Sequence, residues 1–245
     1  VRVSRVYTTQ LLVQGESLEF AESQHHYLSR VLRLKINDSI ELFNGDGLAF
    51  RGRIENISSR SLIVLVGERS DTGQLVTKSP LSVHLGACFS RGDRMDWLVQ
   101  KSTEMGVARI TPLISDYSGA RPREEQATKK IAHWQKIAIH ACEQSGRNDL
   151  PEIMPLLSLH EWIEQRTEEL LLVLQPTGEK SLAQNKKPSS IALLSGAEGG
   201  FSEAELNSAS SKGFEIVRFG PRVLRAETAP LAVLSVLQFL WGDLS

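Results

Sequence analysis

Ser190-Ile191-Ala192-Leu193-Leu194, running into Ser195-Gly196-Ala197-Glu198-Gly199-Gly200, is a short unalternating apolar run that ends in a glycine loop. Such a run suits a strand buried on both faces. Phe214 to Phe219 has the same character and runs into Gly220-Pro221-Arg222-Val223-Leu224-Arg225-Ala226-Glu227-Thr228-Ala229. Each loop leads into a helix. Ser202 stands three residues before Glu205, the spacing of a capping box, and Leu231, Leu234, Leu237, Phe239 and Leu240 recur at broadly helical spacing between Ala229 and Trp241. Strand, glycine turn and helix, twice over, predict a ligand pocket at the carboxyl ends of strands.

Upstream, Leu81 to Cys88 reads as a strand, Asp93 to Met105 as an amphipathic helix closed by Gly106, and Ala108 to Ile114 as a further strand. This βαβ unit predicts a sheet that is at least partly parallel. A long helix follows from about Glu124 to Gln144, carrying Ile131, Trp134, Ile137, Ala138 and Ala141 on one face. Leu159 to Gln165 reads as a short helix and Leu170 to Leu174 as the next strand. The first third is β in character. Ser39 to Phe43 alternates, Asn44-Gly45-Asp46-Gly47 supplies a turn, Leu48 to Ile54 resumes the pattern, and Leu62 to Val66 is another strand, which predicts a small barrel or sandwich. His26 to Arg33 predicts a turn or two of helix with Arg30 and Arg33 sharing one face. Between Gly67 and Pro80 no period is sustained, so the boundary is placed there, giving units of 1–72 and 73–245.

At 245 residues, 41% hydrophobic and 23% charged, the chain falls in the ordinary soluble range. A formal net charge of −1 says nothing about partners, because a balanced total can hide a basic face. Cys88 and Cys142 are the only cysteines, and with no secretory leader the expectation is reduced thiols in a cytoplasmic protein. The histidines and cysteines show no metal-ligand spacing, and no apolar run approaches a membrane span, so neither a metal site nor a membrane location is expected.

Several polar groups admit two readings. Gly199-Gly200 alone is better explained by a tight turn than by a ligand loop, since neither loop carries a dinucleotide fingerprint or the Lys-Ser/Thr ending of a P-loop. Arg222, Arg225 and Glu227 crowd around Leu224 where a buried helix begins, so they either pair with each other or face a ligand. Lys101 and Glu104 could be a surface ion pair. The helix ending Glu143-Gln144-Ser145-Gly146-Arg147-Asn148 is partly explained by a glycine cap and a cation at the negative helix end, which leaves Glu143 and Gln144 without a reason. Arg2, Arg5, Arg30 and Arg33 could form a phosphate-facing patch or merely solvate a surface. No serine, cysteine or histidine stands in a nucleophile pattern, which disfavours a hydrolase.

Taken together, Gly196-Ala197-Glu198-Gly199-Gly200 and Gly220 to Ala229 resemble the two terminal signature loops of the ribosomal small-subunit RNA methyltransferase E family, of the SPOUT class. The resemblance extends to Gln100-Lys101-Ser102-Thr103-Glu104-Met105-Gly106, Trp134 to Ala138, Ala141 to Arg147 and His26 to Arg33, and so covers essentially the whole chain. It implies an N-terminal PUA-like β-barrel for RNA, a C-terminal α/β domain with a trefoil knot, a homodimer, and S-adenosylmethionine as cofactor. Cofactor contacts would fall on Leu174, Gly196, Gly199, Gly200, Phe219, Gly220, Val223 and Leu224, with Glu198 and Thr228 beside them. Candidates for RNA phosphates are Arg5, Arg30, Arg33 and Arg91, with Lys101 and Arg147. The chain departs from the family pattern at Ala197, where proline is usual, and at Ala226, where threonine is usual.

The activity implied by the resemblance is methylation at N3 of a uridine in 16S RNA of the small subunit, free or assembled as 30S. Neutral uracil carries a proton on N3, which must leave before that nitrogen can attack a methyl group. Arg225 is the expected stabiliser of the uracil anion, and Glu198 or Glu227 the expected proton acceptor. Two rivals stand beside this: a catalytically idle ribosome-assembly factor of the same fold, and a nucleotide enzyme using the glycine loops for phosphate.

Overall fold

The computed structural model describes residues 3–70, 78–89, 93–118, 122–178, 180 and 187–244. The chain divides into two compact units, one of residues 1–78 with 142–150 and one of residues 79–141 with 151–245. The expected boundary between 72 and 73 lies outside the described residues.

In the first unit, β1 (Ser4–Tyr7), β2 (Ser17–Ala21), β3 (Ser39–Phe43), β4 (Ala49–Ile57) and β5 (Ser61–Arg69) form one sheet in the order β1-β3-β4-β5-β2. Only the β1–β3 pair is parallel. The hairpin expected around residues 44–47 is present, with Phe43 opposite Ala49. Alternation on β5 sends Leu62, Val64 and Val66 inward to meet Phe20, Ile40, Leu42 and Ile54. The helix expected over 26–33 lies earlier. α1 (Glu22–His26) widens into a π-helical turn, Tyr27–Val31, closed by the Leu32 N–H on the Tyr27 carbonyl at 3.0 Å. The wide turn lets Tyr27, Leu28, Leu32 and Leu34 all reach the core. Arg33 falls outside it, at φ +53°, so it does not share a helix face with Arg30.

Residues 142–150 complete this unit. They comprise the last turn of α3 (Glu124–Ser145) and the segment after it. Cys142 packs with Phe43 and Ala49, flanked by Tyr7 and Leu150. Glu143 accepts the Tyr7 backbone N–H at 3.1 Å, which supplies the reason its position lacked in the sequence.

The second unit holds β6 (Ser82–Cys88), β7 (Arg109–Ile114), β8 (Glu152–Ile153), β9 (Leu157–Ser158), β10 (Leu170–Leu174), β11 (Ser190–Ser195) and β12 (Glu215–Val217) in a seven-stranded sheet. Its order is β12-β10-β11-β6-β7-β8, with β9 also on β7, and every pairing is parallel. The helices are α2 (Arg94–Glu104), most of α3, α4 (Leu159–Glu164), α5 (Glu203–Ser211) and α6 (Thr228–Trp241). Ile191, Ala192, Leu193 and Leu194 of β11 are all buried, as an unalternating run requires. Ala192 and Leu194 meet Trp162 and Ile163 of α4 and Phe214 on one face, while α2 and α6 pack together and α6 lies against β11. The predicted capping box forms: Ser202 Oγ accepts the Glu205 N–H at 3.2 Å and Glu205 accepts the Ser202 N–H at 2.8 Å.

β12 is shorter than the strand expected over 214–219. Among the described residues its strand partner is β10, whose partner positions end at Leu174, and beyond that point β10 turns away through Gln175 and Gly178, leaving Val217 one further bridge, to Lys180. Arg218 keeps one backbone bond, to the Lys180 carbonyl at 3.1 Å, and with Phe219 it belongs to the loop.

Near the amino-terminal ends of these strands, buried His84 sits in a polar network. His84 Nδ1 meets Glu168 at 3.1 Å and the Arg166 guanidinium, while Nε2 lies 2.7 Å from Thr111 Oγ1 and 3.3 Å from the Trp162 indole nitrogen. Arg166 pairs with the same Glu168 oxygen at 3.1 Å and lies over the Trp162 ring.

Candidate functional site

Three loops leave the carboxyl ends of neighbouring strands β12, β10 and β11, and between them lies a cavity of about 460 Å³. Its walls include Leu174, Phe201, Phe219 and Leu224, and Arg94, Arg218, Arg222 and Arg225 stand in its lining. This is the end of a parallel sheet where a pocket was expected.

The loop after β11 is closed by the Gly200 N–H on the Ala197 carbonyl at 2.9 Å, with Gly200 at φ +72°, a conformation that side chains resist. At Gly196 any Cβ would stand 3.1 Å from the Phe201 ring, so the glycine lets that ring close the wall. Ala197 is buried in the α4–α5 core, and its turn closes without a proline ring. The loop after β12 passes through Gly220, also at φ +72°, and ends where the Arg225 carbonyl accepts the N–H groups of Thr228 and Ala229 at 2.9 and 3.0 Å to start α6. Ser195 Oγ donates to the Ala226 carbonyl at 3.5 Å, joining the two loops through the backbone of the position where a threonine hydroxyl was missed.

The charges fall into two pairs and a remainder. Glu198 is bound by Arg94, both side chains being nearly half exposed. Glu227 is 15% exposed and stands 4.0 Å from Arg225, which is 81% exposed. The second oxygen of Glu227 is buried and has no hydrogen-bond partner among the described residues. A buried carboxylate oxygen left this way awaits a donor. Beneath the same wall lies the Cys88 thiol, which burial pushes up to about 12, so it is no nucleophile at neutral pH.

Leu174, Gly196, Glu198, Gly200, Phe219, Val223 and Leu224 line the cavity together with Arg225 and Glu227, so most of the expected site converges. Gly199, Gly220 and Thr228 are not in its lining. Gly199 packs against Tyr117, where a Cβ would approach to 3.0 Å, while Gly220 shapes its loop and Thr228 is the first residue of α6. Sequence reasoning missed Gln175, Pro176 and Phe201, although the first two directly follow a strand whose neighbours had been identified. Arg94 carries no local signal at all.

The phosphate candidates separate. Arg5 is drawn into the first unit, bound to Glu41, to the Arg147 carbonyl at 2.9 Å and to Asn148 at 2.6 Å. Arg147 is 5% exposed and pairs with Asp149 at 2.6 Å. Both expectations are corrected: burial and carboxylate partners make these arginines internal ties. Lys101 is held by Glu104 at 2.9 Å, as the ion-pair reading had it. Arg30 and Arg33 are exposed. Arg91 and Arg2 lie outside the described residues.

The residues present fit S-adenosylmethionine. The cavity volume suits a nucleoside-sized ligand, the apolar walls suit a purine, and an orphaned buried carboxylate oxygen suits a cationic or N–H-bearing guest. Among the described residues no group of three or more His, Cys, Asp or Glu could hold a metal ion, and no helix is long and apolar enough to cross a membrane.

Residues 77–238 match the family model of an RNA methyltransferase domain, and residues 20–67 that of an RNA methyltransferase PUA domain. The chain is 34% identical to the ribosomal RNA small subunit methyltransferase E of Buchnera aphidicola subsp. Schizaphis graminum, over 100% of this chain and 99% of that one. It is 35% identical to the Neisseria gonorrhoeae enzyme of that name solved bound to S-adenosyl methionine, with a TM-score of 0.92 and complete coverage of both chains. A Legionella pneumophila protein solved with the cofactor SAM is 37% identical, with a TM-score of 0.94 over 99% of this chain and 100% of that one.

Proposed function

The chain belongs to the ribosomal RNA small subunit methyltransferase E family, and from that membership we propose that it uses S-adenosylmethionine to methylate N3 of a uridine in 16S RNA. The observation that carries this reading is the glycine-walled cavity at the ends of β10, β11 and β12, with charged groups of both signs gathered at one side.

When bound, the cofactor supplies a methyl group on a positively charged sulfur, open to attack by a nitrogen lone pair. Leu174, Gly196, Gly200, Phe219 and Leu224 would hold it, largely through backbone, since Ala197 and Ala226 offer no polar side chain. Glu227 takes the N3 proton of the target uracil, its free oxygen being the acceptor already in the wall. Arg225, exposed beside it, places its guanidinium against the uracil oxygens and stabilises the anion that deprotonation leaves. Glu198 is the weaker candidate for the base, because Arg94 already occupies it. Its role is to hold the first loop in place.

The same membership supports an RNA role for the first unit as a PUA-like barrel, with Arg30 and Arg33 toward phosphates, and a trefoil knot in the second. The knot is favoured by the path of the chain, which leaves edge strand β12 and returns to α6 against β11. Exposed Phe239 and Leu240 in the last turn of α6, with exposed Leu244 beyond it, favour a homodimer, and a cytoplasmic enzyme acting on free RNA or the 30S particle completes the reading. Sedimentation equilibrium tests the dimer, and a crystal structure traces the knot.

Calorimetric titration with S-adenosylmethionine, then methyl transfer to 16S RNA and 30S particles from cells lacking the gene, tests the central reading. Expected are stoichiometric binding and a product digest containing 3-methyluridine. Binding without transfer to either substrate would instead favour an idle assembly factor.

A further inference from the structure

We propose that Arg218 and Arg222 form a phosphate-binding site at the cofactor pocket, so that the catalytic unit itself grips the RNA backbone beside the target uridine. This rests on the methyltransferase reading above. Among the described residues six charged side chains line the cavity: Arg94, Arg218, Arg222, Arg225, Glu198 and Glu227. Arg94 is matched by Glu198 and Arg225 by Glu227. Arg218 and Arg222 make no side-chain hydrogen bond or ion pair among the described residues, and both are exposed.

The sign of that surplus identifies its partner. The cofactor brings a sulfonium and an ammonium against a single carboxylate, so it does not call for two further guanidinium groups beside the two already paired. A polyanion is the ligand they favour. Guanidinium forks bind phosphate through paired N–H donors, which suits them to a nucleic-acid backbone. Position agrees with charge. The two arginines flank Phe219-Gly220-Pro221, whose middle residue holds φ +72° and whose proline ring fixes the next φ. Arg218 is further anchored by its backbone N–H on the Lys180 carbonyl at 3.1 Å. The turn therefore presents two cations from a held backbone, on the same loop as Arg225. The first unit's arginines at positions 5 and 147 are consumed internally and cannot supply this contact.

The test is the salt dependence of RNA binding by the full chain, measured with 16S RNA and with single-stranded oligouridylate, alongside calorimetry with S-adenosylmethionine. The variants are Arg218→Ala/Arg222→Ala and Arg218→Lys/Arg222→Lys. For a single-stranded ligand each lost phosphate contact lowers the slope of log K against log salt by about 0.7, so the alanine pair loses about 1.4. The lysine pair keeps most of the slope, and S-adenosylmethionine affinity stays within about twofold of the parent in both. Both side chains are exposed, so the variants keep the parent melting temperature. An unchanged slope in the alanine pair overturns the proposal. So does an intact slope with weakened cofactor binding, which would assign the arginines to the cofactor carboxylate. Failure of the parent chain to bind S-adenosylmethionine at all would instead sink the underlying methyltransferase reading.

Discussion

Glu227 and Glu198 are chemically the same residue in two situations, and the difference decides their roles. Glu227 is largely buried with one oxygen unpartnered among the described residues, whereas Glu198 is half exposed and occupied by Arg94. Glu227→Gln is expected to lower the single-turnover rate at saturating cofactor by about 10²–10⁴-fold, the usual worth of a positioned proton acceptor. Glu198→Gln should cost far less, and equal losses in the two would reverse the assignment. Arg94→Ala removes an exposed ion pair and is expected to weaken S-adenosylmethionine binding by less than about fivefold in calorimetry. A loss of a hundredfold or more would mean that Arg94 touches the ligand directly. The sequence was legible where backbone chemistry left a mark. Gly200 and Gly220 hold a φ of +72° that side chains resist, and Gly196 leaves the room that the Phe201 ring takes. Charge was not legible in the same way: Arg5 and Arg147 read like the exposed Arg30, because nothing local to an arginine says whether a carboxylate will meet it through the fold.

Elements built on one strong local signal were found in sequence, and those set by distant partners were not. β10 and β11 follow from unalternating apolar runs, and α5 from its capping box. β1 and β2 are too short and mixed in polarity to announce themselves, and become strands only because β3 and β5 are there to pair with. The tie between β1 and the segment after α3 shows the same dependence. Arg5→Ala takes the guanidinium away from Glu41, which Ser70 also binds at 2.7 Å, and removes the donor that reaches Asn148 Oδ1. Breaking a buried ion pair from one side costs about 3–5 kcal/mol, so that unit should melt well below the parent by near-ultraviolet circular dichroism. A shift of only a degree or two would mean that the pair is well solvated. The His84 network carries a pH signature. Burial alone would raise Glu168, but the His84 N–H, a backbone N–H and Arg166 outweigh it and leave it at about 2. Its contribution is complete above the ordinary 4.5 and is lost as pH falls toward 2. His84 is held below 6.5, chiefly by burial, so acid costs stability there too: below 6.5 the unfolded chain takes up a proton that the folded chain refuses. Thermal midpoints should therefore fall from pH 6.5 downward, with Glu168→Gln flattening the part below 4.5. A parent midpoint that does not change over that range would contradict the network's role.

Across the whole molecule, the order of elements in the parallel sheet could be anticipated only in part, because strand order depends on contacts between residues far apart in the chain. The pocket was easier, since adjacent strand ends converge whatever the order of the rest. The discontinuous make-up of the first unit had no sequence signal. Its β-strands all lie before residue 70, yet residues 142–150 are part of it. During synthesis, therefore, the amino-terminal third cannot reach its native state when its own strands emerge. It must wait for roughly twice that length of chain, with Phe43 and Ala49 lacking Cys142 and Arg5 lacking Asn148 in the interval. A fragment ending at Lys78 is expected to be a loosened species, with poor amide-exchange protection in β1 and β3, and adding a peptide of residues 142–150 should restore protection there. A fragment that is fully protected without the peptide would show that the late segment merely decorates a fold already made.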